Sequence, residues 1–201
     1  RPIGIQRWSA RRIGLLLLML PVAALLVQGF RSVLVNNDMT TTLLNTHDLS
    51  CDRLEPLWLQ AQSVPTASLV PCVQTLPAGL TVAGANVAYG WSRFTLNSDQ
   101  AGDQAMVVRL TAACDTTGAD LGTSDQPGSR HYERAGSGWL IWYEVFPGGC
   151  VSTQLSAANQ AGTTFHRDAS LALGFTSRRE LERALEGRSA GRLHLDPLPA
   201  R

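Results

Sequence analysis

Hydrophobic and polar positions divide the chain into three textures. Residues 13–30 form a run without a single charge between Arg12 and Arg31. Residues 36–50, NNDMTTTLLNTHDLS, are polar with little periodicity. Beyond them short apolar stretches alternate with turn residues, until a helical pattern returns near the C-terminus.

The uncharged run holds 18 residues. At about 1.5 Å per residue a helix of that length reaches roughly 27 Å, close to a hydrocarbon core of about 30 Å. Arg1, Arg7, Arg11 and Arg12 precede it and only Arg31 follows closely, which marks the N-terminus as the cytoplasmic end. The apolar character continues through Val33, Leu34 and Val35, longer than a secretory signal core needs. Pro21 lies inside it, and membrane helices tolerate proline better than soluble ones. The expectation is an uncleaved signal anchor. A cleaved signal peptide, with small residues around Gly29, is the competing reading.

In the third texture, Leu54, Leu57, Trp58 and Ala61 stand at i, i+3, i+4, i+7 and predict a short helix closed by Pro65. Alternation predicts strands over 81–84, 85–96 with a bulge at Gly90, and 105–114. The loops expected are 97–104 and 115–128. WLIWYEVF, 139–146, is apolar on both faces apart from Glu144 and reads as a central strand covered on either side. Pro147-Gly148-Gly149 makes a turn into the strand CVSTQL. SLALGF, 170–175, is a strand or a short helix. Ser177-Arg178-Arg179-Glu180 fits a capping box, predicting a helix from Arg178 to about Glu186 with Leu181, Ala184 and Leu185 buried and Gly187 as its stop.

The organisation expected is a cytoplasmic N-terminus at 1–12, a transmembrane anchor at 13–35, a stalk at 36–50 and one extracytoplasmic domain at 51–201. The fold class expected for that domain is β-rich, a β-sandwich or α+β module with a C-terminal amphipathic helix. About 166 residues after the anchor suffice for one core and not for two. Cys51, Cys72, Cys114 and Cys150 all fall on the outer side, an even number in an oxidising compartment, so two disulfides are expected. Three pairings exist, and sequence does not choose among them rigorously. Cys51 with Cys72 and Cys114 with Cys150 is the pairing we expect. No C-x2-C pair supports zinc.

The net charge of +1 and the absence of basic clusters interleaved with aromatics argue against nucleic acid as a partner. All 17 basic residues are arginine, a bias that points to a GC-rich bacterial genome.

Candidate chemistry is sparse. Arg109 and Glu144 each interrupt an apolar strand. Glu144 reads as a general acid in a cleft or, preferably, as half of a cross-strand ion pair or as an edge position facing water. His47-Asp48, His166-Arg167-Asp168 and His194-Leu195-Asp196 set an imidazole near a carboxylate, as catalysis and metal binding require, but in separate regions and without an accompanying motif. The His166-Arg167-Asp168 match to a kinase loop is chance in a chain without lysine. Asp99, Asp103, Asp115, Asp120 and Asp125 lack calcium-loop spacing and read as solvated turns. Arg178, Arg179, Arg183, Arg188 and Arg192 interleave with Glu180, Glu182 and Glu186, as on a salt-bridged solvent face. The sequence therefore assigns no catalytic, cofactor-binding or metal residue.

The segments LEPLWLQAQSVPTASLVPCV, RLTAACDTTGA, PGSRHYER, VFPGGCV and ASLALGFTSRREL resemble single-pass membrane proteins of actinobacteria with a disulfide-bonded extracytoplasmic domain and an uncharacterised activity. The resemblance implies a cell-envelope setting and transfers no site residue. The expected function is that of a membrane-anchored extracytoplasmic binding or accessory protein, beside a multi-pass membrane protein and held to the bilayer through 13–35. An envelope hydrolase whose site only the fold assembles is the alternative.

Overall fold

Alternating side chains build one large sheet in the computed structural model, which describes residues 41–43, 48–156 and 162–196. The expected anchor at 13–35 lies outside these residues. Among the described residues no helix is long and apolar enough to cross a membrane.

The strands are β1 (Thr41–Leu43), β2 (Leu69–Val73), β3 (Leu80–Ala88), β4 (Trp91–Ser98), β5 (Gly102–Thr111), β6 (Asp120–Leu121), β7 (Arg130–Gly136), β8 (Trp139–Phe146), β9 (Gly149–Ser156) and β10 (Leu173–Ser177). The helices are α1 (Leu54–Ser63), α2 (Gly162–Ala172) and α3 (Arg178–Ser189). Eight strands form an antiparallel sheet in the order β1-β3-β4-β5-β9-β8-β7-β6, and β10 pairs with β2 in a second, small sheet. The domain is thus β-rich, with two sheets and a few helices.

On the inner face of the large sheet Phe94, Leu96, Met106, Val108, Leu110, Val151 and Leu155 are buried. Phe165, Ala169 and Ala172 of α2, with Val73 and Leu173 of the small sheet, pack against them. Burial of each large aliphatic or aromatic side chain contributes about 1.5–3 kcal/mol. A second core of Leu57, Ala61, Val70, Leu181, Leu185 and Leu195 joins α1 and α3 to the far side of β2. Val73 and Val70 therefore face different cores, which is why this short strand is apolar without alternation. Pro71 is tolerated there because the small sheet has only two strands, leaving its members at edges.

Both expected disulfides form, Cys51–Cys72 and Cys114–Cys150. The capping box at Ser177 forms as well, with the Ser177 hydroxyl accepting from the Glu180 N–H at 3.2 Å. Pro147-Gly148-Gly149 turns between β8 and β9, and Gly148 adopts φ +74° where a Cβ would lie 1.9 Å from the Thr66 carbonyl oxygen. Only glycine fits that approach.

Several expectations are corrected. Gly90, at φ +88°, turns the β3–β4 hairpin, and the bulge sits between Val82 and Gly84 instead. The helix from Arg178 runs through Gly187 to Ser189, and Ala190 is its left-handed cap. SLALGF divides between the end of α2 and β10. Residues 41–43, expected in the stalk, pair with β3 in the large sheet, and Leu49 is buried in its core. Finally, β8 is not fully covered: Tyr143, Glu144 and Phe146 are buried, but Trp139, Ile141 and Val145 on one face and Leu140 and Trp142 on the other stay partly exposed.

Candidate functional site

The two faces of the large sheet carry opposite chemistry, and the pairing register puts it there. Glu144 lies in one row with Leu110 and Val151, which forces its carboxyl toward the buried face. The next residue in that row is His131, directly opposite it on β7. Of the two plainer readings from sequence, the cross-strand pair is the one that matches, with histidine as the partner.

His131 Nδ1 lies 3.0 Å from Glu144 Oε2, and Nε2 lies 3.1 Å from Glu133 Oε1. The hydroxyls of Ser124 and Ser129 donate to Glu144 Oε1. Both serines sit on the β6–β7 connection, where the Ser124 hydroxyl also accepts from the Gln126 N–H at 3.0 Å. A carboxylate at 8 % exposure thus has three donors, which offsets its desolvation. Gly122 lets the loop approach closely, since a Cβ there would lie 2.8 Å from the His131 ring.

In this cluster the imidazole is not turned to a hydroxyl. Both imidazole nitrogens are engaged by carboxylates, so no free ring nitrogen accepts a proton from a nucleophile. The two hydroxyls point at a carboxylate and not at the imidazole. Its evident work is to tie the loop carrying Ser124 and Ser129 onto the sheet.

The outer face differs in every respect. One register row crosses seven strands through Asn86, Arg93, Arg109, Ser152, Tyr143, Tyr132 and Leu121. Arg93 and Arg109 stand directly opposite one another in it. Arg130 and Arg134 lie on the same face of β7, flanking Tyr132. No aspartate or glutamate occupies that face of β4, β5, β7, β8 or β9 at any paired position. None of the four arginines makes an ion pair among the described residues.

These guanidiniums are nevertheless held in place. Arg109 lies over Trp91, 5.1 Å from the ring centroid. Arg134 lies over Tyr143 and Trp139, donates to the Tyr143 hydroxyl at 2.5 Å and to the Thr117 carbonyl at 3.0 Å. Arg93 donates to Gln104 Oε1 at 2.9 Å, and its Nε–H is out of water without an acceptor among the described residues. Gln104 takes a left-handed φ of 50°, pinned by its N–H donating to Asn97 Oδ1 at 2.9 Å. A shallow groove of about 510 Å³ runs across β4, β5, β9 and β8, lined by Arg93, Gln104, Arg109, Tyr143, Ser152 and Gln154 among others.

The remaining sequence candidates do not converge. His47 lies outside the described residues. His166 is half-buried edge-on to Trp142, and no contact with Asp168 forms. His194 approaches Glu186 at 3.5 Å rather than Asp196. Asp115 accepts from the Thr117 N–H at 3.0 Å in a turn, and Thr117's side chain and backbone hold its carboxyl below the usual range. The salt-bridged face expected on α3 is not formed among the described residues. Arg178 is buried instead, donating to the carbonyls of Ala61 at 2.8 Å and Asp196 at 2.8 Å, and burial lowers its pKa. Arg183 and Arg192 donate to carbonyls of their own segment.

Sequence reading missed Arg93, Arg130, Arg134 and His131. An available signal was the count of acids on that face of β4, β5, β8 and β9, which is zero once strand parity is assigned. No protein-family model, no curated protein sequence and no solved structure matches the chain.

Proposed function

We propose that this chain is a membrane-anchored extracytoplasmic binding or accessory protein of the bacterial cell envelope, and that it binds through the outer face of its large sheet. One observation carries the reading: Arg93 and Arg109 face each other in register on an acid-free face, held by Trp91 and Gln104 rather than neutralised. Like charges directly opposite on neighbouring strands destabilise a sheet. A face that keeps them, oriented and unpaired, is suited to a negatively charged partner.

The uncharged run at 13–30 with arginines ahead of it supports the anchor, and four paired cysteines support an oxidising compartment. The resemblance to actinobacterial single-pass proteins supports the same setting. A position beside a multi-pass membrane protein fits an anchored module with one exposed binding face. The hydrolase reading draws on the Glu144 cluster, and the engagement of both His131 nitrogens weighs against it.

Native purification from membranes in mild detergent, with intact-mass measurement, tests the proposal. The expected result is a mass that includes residues 13–35 and a copurifying envelope component of negative charge that Arg109→Glu releases. A soluble chain whose mass begins near residue 30, or copurification indifferent to Arg109→Glu, overturns it.

A further inference from the structure

We propose that the outer sheet face binds an acidic polysaccharide, an extended hydroxyl-rich chain whose anionic groups seat between Arg93 and Arg109. The inference rests on the reading of this face as the binding surface and names its ligand class.

Charge complementarity gives the sign of the ligand. Two facing guanidiniums without a carboxylate form a site for an anionic oxygen group, which planar forks bind with paired hydrogen bonds. The left-handed backbone at Gln104 is a strained feature whose visible effect is to place an amide oxygen on Arg93. Stacking on Trp91 restrains Arg109 in the same way, so both side chains are ordered before a ligand arrives.

The rest of the groove gives the class. Beside the arginines lie the hydroxyl of Ser152 and the amides of Gln104 and Gln154, groups that exchange hydrogen bonds with sugar hydroxyls. The groove crosses four strands, about 14 Å at roughly 4.8 Å per strand, room for several units of an extended chain. A peptide adding to a sheet needs a free edge, and β4, β5, β8 and β9 are all paired on both sides. Insertion into a bilayer needs fully exposed apolar side chains, and on this face Trp139, Ile141 and Val145 are only partly exposed beside the arginines, while the exposed Leu121 stands at the far edge.

The test uses the full chain in detergent, titrated with polygalacturonate, its methyl ester, polyglutamate, and phosphatidylglycerol vesicles. The expected result is binding of polygalacturonate that weakens with salt, little binding of the neutral ester, and about tenfold weaker binding by Arg93→Gln/Arg109→Gln. That variant should unfold at no lower denaturant concentration than the parent, so the loss of affinity is not a loss of fold. Equal binding of polyglutamate, or preferential binding of the vesicles, lost in the same variant, overturns the glycan while leaving the face as a binding surface. No binding of any of the polyanions overturns the ligand class and the reading of the face together. Polygalacturonate binding that survives the double substitution overturns the site.

Discussion

The inner and outer faces of one sheet treat charge in opposite ways. On the inner face the buried carboxylate of Glu144 meets two hydroxyls and an imidazole, and a loop is folded over it. On the outer face Arg93 and Arg109 oppose each other without any anion, though both are held by neutral neighbours. The first arrangement is what burial demands of a charge. The second reduces stability, and so is not explained by folding. The contrast separates a structural polar cluster from a functional one, although the sequence singled out Glu144 and Arg109 on equal terms.

The Cys114–Cys150 bridge ties the two faces together, since Cys150 is on the outer face and the loop after Cys114 goes on to deliver Ser124 and Ser129 to the inner one. It closes a loop with a sequence separation of 36. Cys114→Ser/Cys150→Ser should lower stability in urea by about 4 kcal/mol through the freed unfolded chain.

Glu144→Ala comes next. It removes the buried acceptor that His131, Ser124 and Ser129 share and opens a gap at their centre, and should cost about 3 kcal/mol. Glycan binding on the other face should be unchanged, measured on the folded fraction. Loss of binding with intact folding would mean the faces are not separable.

The legibility of the sequence follows the same division. Local rules were enough for α1, for the Ser177 capping box and for the turn at Gly148, because each depends on residues a few positions apart. Strand register is not local. His131 was passed over because it has no neighbouring aspartate, whereas His166 and His194, which have one, do not use it. Adjacent residues on a strand point to opposite faces, so a partner is found across the ladder rather than along the chain. β7, RHYERAG, was missed because the row of His131, Glu133 and Ala135 alternates with that of Arg130, Tyr132 and Arg134, and neither row is apolar. The incomplete cover of β8 was missed because partly exposed residues such as Trp139, Ile141 and Val145 spell the same pattern as buried ones.

A smaller effect checks that exposed charge elsewhere obeys ordinary pairing. Hydrogen bonds from the Ser177 hydroxyl, then from its N–H, hold the Glu180 carboxyl below its ordinary value of 4.5. A carboxylate with a lowered folded pKa stabilises fully above its unfolded value and loses that contribution as pH falls through the folded one. Ser177→Ala should cost about 1 kcal/mol at neutral pH. The gap between parent and variant should narrow below pH 4.5, read from urea midpoints at several pH values.

The smallest expected effect is the most direct test of the central claim, that the outer face keeps an uncompensated like-charge contact. A double-mutant cycle of Arg93→Gln and Arg109→Gln should be measured by urea unfolding at low and high salt. Each single substitution is expected to gain about 0.5 kcal/mol, and the double variant less than the two gains combined, because one repulsion is removed once. The gains should shrink in salt. Loss of stability in both single variants, unaffected by salt, would contradict the account and make the two arginines structural.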